Sequence, residues 1–206
     1  MEAKTCKIFQ SSFLLAFFFL ISYMQTAVVA ASTDKTSSNT YKIYILKSCN
    51  STTYPNDCYN SLKPYYNKIK NDPLKLCKTS LKVALRTARN TSALVSSIKK
   101  QGGLSSAEEG IVKDCIDAIG DSVDELKDSL DEIGNLGSGS NLEFQIDNIK
   151  TWVSAAITNE STCTDGIDEG KVSKSVKNKI RKSVVNLARQ TSNSLALINS
   201  NLKYYN

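Results

Sequence analysis

Histidine is absent from all 206 residues. Without an imidazole, Ser-His-Asp and Cys-His nucleophilic arrangements are excluded, as are the common histidine-containing zinc sites. No glycine-rich phosphate loop, Cys-x-x-Cys pair or calcium-loop pattern occurs. No stretch alternates apolar and polar residues convincingly enough to read as a strand. Only three prolines are present, Pro55, Pro64 and Pro73, so no proline interrupts the chain beyond residue 73. Together these gaps point away from an enzyme: no catalytic residue, metal site or cofactor is expected.

Apolar residues run on uninterrupted only near the start. Phe13 to Ile21 is too short for a hydrocarbon layer of about 30 Å. Lys4 and Lys7 precede it and small residues from Ala27 to Ala31 follow, the layout of a secretory signal peptide over residues 1–31. A soluble, secreted, extracellular protein with no membrane span is expected. About 175 residues remain, enough for one domain with a substantial core.

Of six cysteines, Cys6 falls in the leader, which leaves Cys49, Cys58, Cys77, Cys115 and Cys163. In an oxidising compartment an odd count implies two bridges and one thiol, and the count alone does not give the pairing. The sequons at Asn50, Asn90 and Asn159 suit the same compartment as possible N-glycosylation sites.

The polar residues 32–40 lack periodicity and read as a disordered lead-in. A hairpin over 41–70 follows. Between Cys49 and Cys58 lies the turn Tyr54-Pro55-Asn56-Asp57, and Pro64 forbids one continuous helix. A Cys49–Cys58 bridge would staple its short pieces together. Asp72-Pro73 then reads as a helix start. Leu74, Cys77, Leu81, Ala84, Ala88, Val95 and Ile98 keep three-and-four spacing up to Gly102-Gly103. Cys77 lies on this stripe, behaves as a small buried hydrophobe and is assigned the free thiol.

The second long run, Leu104 to Ile133, opens on a capping box, Ser105 and Glu108. Its seam reads Val112, Ile116, Ile119, Val123, Leu126, Leu130 and Ile133, with Cys115 at the margin. Asp117, Asp121, Asp124, Asp128 and Asp131 face outward. After the connector NLGSGSN, the third run carries Leu142, Ile146, Ile149, Val153 and Ala156, and the same steps reach Cys163. A Cys115–Cys163 bridge between adjacent antiparallel helices is compatible with these positions. Trp152 reads as a packing residue. The fourth run is Val172, Val176, Ile180, Val184, Leu187, Leu195, Ile198 and Leu202. Short connectors force neighbours to alternate direction, so the expected fold is all-α: an antiparallel up-down-up-down four-helix bundle over 72–206, preceded by the stapled hairpin.

Charge is distributed unevenly along these runs. From Ser105 to Glu132 there are ten carboxylates against Lys113 and Lys127, whereas no carboxylate follows Glu169. Acidic and basic helices can neutralise one another side by side, or an acidic face can be kept for a basic partner. Exposed carboxylates at helical spacing keep ordinary acidity, which argues against a glycosidase-like pair. The basic fourth run has no aromatics before Tyr204 and Tyr205, so a nucleic-acid partner is not expected. Seams filled with Ile, Leu and Val leave no cavity for an apolar cargo.

Three segments carry a family resemblance. ILKSCNSTTYPNDCYNSL (45–62) resembles the N-terminal hairpin of plant invertase and pectin methylesterase inhibitors; VKDCIDAIGDSVDELKDSL (112–130) resembles the Asp-Cys motif of their second bundle helix; TWVSAAITNESTCTDGI (151–167) is similar to their Trp-Leu-Ser-Ala-Ala-x-Thr-Asn-x-x-Thr-Cys signature. The resemblance implies a hairpin followed by a four-helix bundle, with bridges Cys49–Cys58 and Cys115–Cys163. It also implies an inhibitor domain over 41–206, a monomer when free, that forms a reversible 1:1 complex over the pectin-binding cleft of an apoplastic pectin methylesterase. The third segment is most similar to inhibitor-like pro-regions of pectin methylesterases; the chain stops after the fourth run, so a free-standing inhibitor is expected. Acid invertase is the alternative target. The Pro-Lys-Phe contact tripeptide of some invertase inhibitors is absent, since the three prolines precede Asn, Tyr and Leu. Target-binding candidates are Asp117, Asp121 and Asp124 of the second run with Thr158, Asn159, Glu160 and Thr162 of the third.

Overall fold

A computed structural model describes residues 37–137 and 140–202. The expected signal peptide, residues 1–31, and residues 32–36 of the lead-in lie outside the described residues. The chain divides into a unit Met1–Tyr41 and a larger unit that begins at Lys42. Residues 37–40, expected to be disordered, are helical, as is Tyr41. Polar sequence without periodicity is compatible with the outer turns of a helix, so the missing period misled there.

In the larger unit, helix α1 covers residues 42–49. Helix α2 is Pro55–Leu62, a 3₁₀ turn spans Lys63–Tyr65, and α3 is Tyr66–Ile69. Pro55 stands in the first turn of α2, where its missing N–H costs nothing, and Pro64 sits in the 3₁₀ turn that separates α2 from α3. The Cys49–Cys58 disulfide joins α1 to α2 with the two Cα atoms 5.6 Å apart. Asn193 of the last helix ties down the turn between them. The Tyr54 N–H donates to Asn193 Oδ1, and Asn193 Nδ2 donates to the Tyr54 carbonyl, both at 3.0 Å.

Four long helices follow: α4 (Pro73–Gln101), α5 (Ser106–Glu132), α6 (Ser140–Glu169) and α7 (Lys174–Asn201). Their ends carry the chemistry that the sequence advertises. The Lys75 N–H donates to the Asp72 carboxylate at 2.9 Å, with Pro73 in the first turn. Gly102 and Gly103, at φ 73° and 81°, take a positive-φ backbone open to glycine, and α4 ends there. Ser105 and Glu108 close a reciprocal capping box at the start of α5.

Each long helix packs against its chain neighbours, and α4 packs against α7, closing a ring. The directions alternate. Thr91 of α4 meets Ser183 of α7 and Cys77 meets Leu197, so positions run in opposite senses. In α5 the buried stripe is Val112, Cys115, Ile119, Ser122, Leu126 and Ser129, continued by Ile133, whereas Ile116, Val123 and Leu130 are only half-buried. Cys115 is therefore central to the seam, not marginal. Small residues allow α5 and α6 to come close together. At the Cys115–Cys163 disulfide the Cα atoms are 4.4 Å apart, and Ser122 Oγ donates across to the Ala156 carbonyl at 3.1 Å. Among the described residues Cys77 is the free cysteine; it is fully buried, its Sγ 3.4 Å from the Leu197 carbonyl.

Candidate functional site

The acidic residues of α5 and the polar residues of α6 share one shallow cleft. Asp121, Asp124 and Glu125 line it from α5, and Ala155, Thr158 and Asn159 from α6, around about 510 Å³. The geometry follows from spacing: Asp121, Asp124 and Glu125 lie three and four residues apart on one helix face, and the α5–α6 disulfide fixes the register of the opposite wall.

Four of the seven sequence candidates thus come together, and three do not line the cleft. Asp117 is one turn away, exposed, and bound to Lys113 at 2.7 Å. Thr162 lies one turn beyond Thr158, whose carbonyl its hydroxyl bonds at 3.0 Å. Glu160 is a correction to the expected surface. Its side chain is 0% exposed and points away from any target-facing position. Thr191 Oγ1 donates to Glu160 Oε1 at 2.7 Å, and Oε2 has no partner. Burial pushes this carboxyl up to about 8, against the smaller opposing effect of the Thr191 bond, so it is neutral in acid and neutral solution. The signal was available. Stepping by four and three from Ala156 to Cys163 passes through residue 160, and only its ionisable side chain argued for the surface.

Glu125 was missed by the sequence reading. It is half-buried, and its pKa is raised by burial and then by the charges of Asp128, Asp121 and Asp124. As pH falls, Glu125 gains a proton more readily than an ordinary glutamate, which turns one acceptor in the cleft into a donor. No catalytic chemistry follows from this set. The cleft offers carboxylates, a hydroxyl and an amide with no nucleophile or base positioned against another, and among the described residues no cluster of three potential metal ligands occurs.

The sequons sit in different surroundings. Asn50 and Asn90 are exposed, whereas Asn159 is half-buried within the cleft. Among the described residues no helix is long and apolar enough to cross a membrane.

The comparisons with known proteins agree with this architecture. The chain is 45% identical over 176 residues to Pectinesterase inhibitor 4 of Arabidopsis thaliana, covering 84% of this chain and 88% of that protein. To Pectinesterase inhibitor 11 of the same plant it is 39% identical over 204 residues, covering 94% and 98%. A solved structure of a mutant pectin methylesterase inhibitor from Arabidopsis superposes with a TM-score of 0.57 over 73% of this chain and 92% of that one; at 20% identity it speaks to the fold alone. Residues 44–197, from within α1 to near the end of α7, match the profile described as plant invertase/pectin methylesterase inhibitor, and with a stapled hairpin, a bridged bundle and near full-length relatives the chain belongs to that family.

Proposed function

We propose that this protein inhibits pectin methylesterase by forming a reversible 1:1 complex that covers the enzyme's pectin-binding cleft. The observation that carries the reading is the likeness, over most of both chains, to proteins named pectinesterase inhibitors. Inhibition of this kind needs no reacting group, only about 800 Å² per partner of complementary surface. The α5–α6 cleft is the proposed contact face, because it combines a rigid bridged seam with an unneutralised acidic rim suited to a basic partner. In mildly acid solution a protonated Glu125 would donate a hydrogen bond across the interface where an ionised carboxylate would repel another. The protein acts as a monomer when free and is secreted to the cell wall.

Titration against a plant pectin methylesterase and an acid invertase at mildly acid pH tests the target. Stoichiometric loss of esterase activity with invertase unaffected is expected; the reverse result would assign the chain to the invertase branch. Replacing Asp121 and Asp124 together by Lys is expected to weaken esterase inhibition at least tenfold while the helical fold is retained. Unchanged inhibition would remove the α5–α6 cleft from the interface. Peptide mapping is expected to find Asn159 without a glycan, since a sugar there would fill the cleft.

A further inference from the structure

The α4–α7 seam lies across the ring from the acidic cleft, and it carries a concavity of its own. A groove of about 740 Å³ runs along α7, walled on one side by Leu94 of α4. Lys179, Arg181, Lys182 and Arg189 line it, with Asn178 and Asn186 between them. Arg181 pairs with Asp168, and Arg189 with Asp57 at 3.2 Å, but both guanidinium side chains stay about half exposed, at 53% and 46%. Lys179 and Lys182 are exposed and make no ion pair among the described residues. No carboxylate follows Glu169 in the sequence, so α7 supplies nothing acidic to oppose them.

The arrangement along the axis is that of a track. Asn178, Lys182 and Asn186 follow at steps of four, and Arg189 at a further three, which aligns amides and cations over about 16 Å of one helix face. Cations suit carboxylates, and amides suit the hydroxyls of a sugar ring. Two other polyanions fit less well. Tyr54 lies beside this end of α7 and its ring is already covered by the Arg189 guanidinium at 5.3 Å, so that ring is not a free stacking platform for a nucleic-acid base. None of the exposed large hydrophobics, Ile43, Leu46, Tyr54 and Phe144, lines the groove, so nothing there would insert into an anionic membrane.

We propose that this groove binds a linear polyuronate, the de-esterified pectin chain. The choice of a uronate among polyanions rests on the reading of the target above: hydrolysis of a pectin methyl ester leaves a ring carboxylate, and the fully esterified polymer has none. The inhibitor would then hold the enzyme on its acidic side and the enzyme's product on its basic side, gathering where the esterase has already acted.

Co-sedimentation and calorimetry of the intact protein with polygalacturonic acid, with fully methyl-esterified pectin, with a single-stranded DNA oligonucleotide and with anionic phospholipid vesicles test this. Binding to polygalacturonic acid is expected to exceed binding to the other three at least tenfold. It is also expected to fall at least tenfold in the Lys179→Glu, Lys182→Glu variant, whose thermal midpoint and esterase inhibition on a small soluble ester should match the parent. Equal binding of esterified pectin, DNA or vesicles would overturn the inference, as would full retention of polyuronate binding by the variant. A protein that inhibits the esterase yet ignores polygalacturonic acid would sink this inference and leave the proposed function standing; one that binds the polymer but inhibits nothing would do the opposite.

Discussion

The two opposite seams of the bundle are built by different means. Between α5 and α6, small residues bring the backbones together, Ser122 bonds across to a main-chain carbonyl and the Cys115–Cys163 bridge makes the join covalent. Between α4 and α7 no disulfide is present. Buried aliphatics such as Leu81, Ala88, Val95, Ile180, Val184 and Leu187 are supplemented by the Thr91–Ser183 hydroxyl pair at 2.9 Å and by the buried Cys77. The outer surfaces differ in sign as well: α5 and α6 are rich in carboxylates, while α4 and α7 are basic. Among the described residues the ion pairs between long helices are Lys99 with Glu109 and Arg181 with Asp168, and Arg189 of α7 pairs with Asp57 of α2. A ring of four helices can therefore hold two charge characters at once. Surface pairs add little stability, so keeping the charges apart costs the fold little and leaves both faces open for recognition.

The largest effect expected from breaking this contrast is at the bridge. Replacing Cys115 and Cys163 together by Ala releases a crosslink spanning 48 residues, and the loop-entropy relation puts the loss near 4 kcal/mol. The same exchange at Cys49 and Cys58, nine residues apart, should cost about 2.5 kcal/mol. Urea unfolding of the two variants measures the difference, and equal losses would mean that loop length is not what makes the α5–α6 join strong.

Comparable in size is the effect of the buried Glu160 beneath the α6–α7 seam. Its folded pKa of about 8 lies above the ordinary 4.5, so the folded state holds a proton that the unfolded chain releases. Stability should accordingly fall as pH rises from 4.5 towards 8 and level off above that, by a few kcal/mol in all. Glu160→Gln removes the titrating proton and should flatten that slope; a slope of undiminished steepness in the variant would assign it to other groups. Least is expected at the α4–α7 seam, where Thr91→Val forfeits one hydroxyl pair and about 1 kcal/mol. A loss as large as that of the bridge variant would show the uncrosslinked seam to be the critical one.

Local chemistry was the legible part of the fold. Asp72 before Pro73, Ser105 three residues before Glu108 and the paired glycines at 102–103 each specify a helix end through backbone groups a few residues away, so no distant partner is needed to read them. The apolar periodicity likewise gave all four long helices. What it obscured was which face of α5 is deepest. Cys115, Ser122 and Ser129 are small and partly polar, and they are buried because a close neighbour, not their own hydrophobicity, excludes water. Glu160 was misplaced for the mirror-image reason: its type is that of a surface residue, and its position is that of a core one. The acidic cleft was half legible, since Asp121 and Asp124 share a face by spacing alone, whereas their meeting with Thr158 and Asn159 depends on how two helices are brought into register.

Cys77 has a consequence for how the crosslinks survive. The thiol is fully enclosed, and burial pushes its pKa up to about 12, so the thiolate that attacks disulfides is scarcely formed. Once the core has closed, the fifth sulfur is chemically silent towards the other four. Five cysteines among the described residues therefore coexist with two lasting bridges: the unpaired one neither reshuffles its neighbours nor couples one molecule to the next.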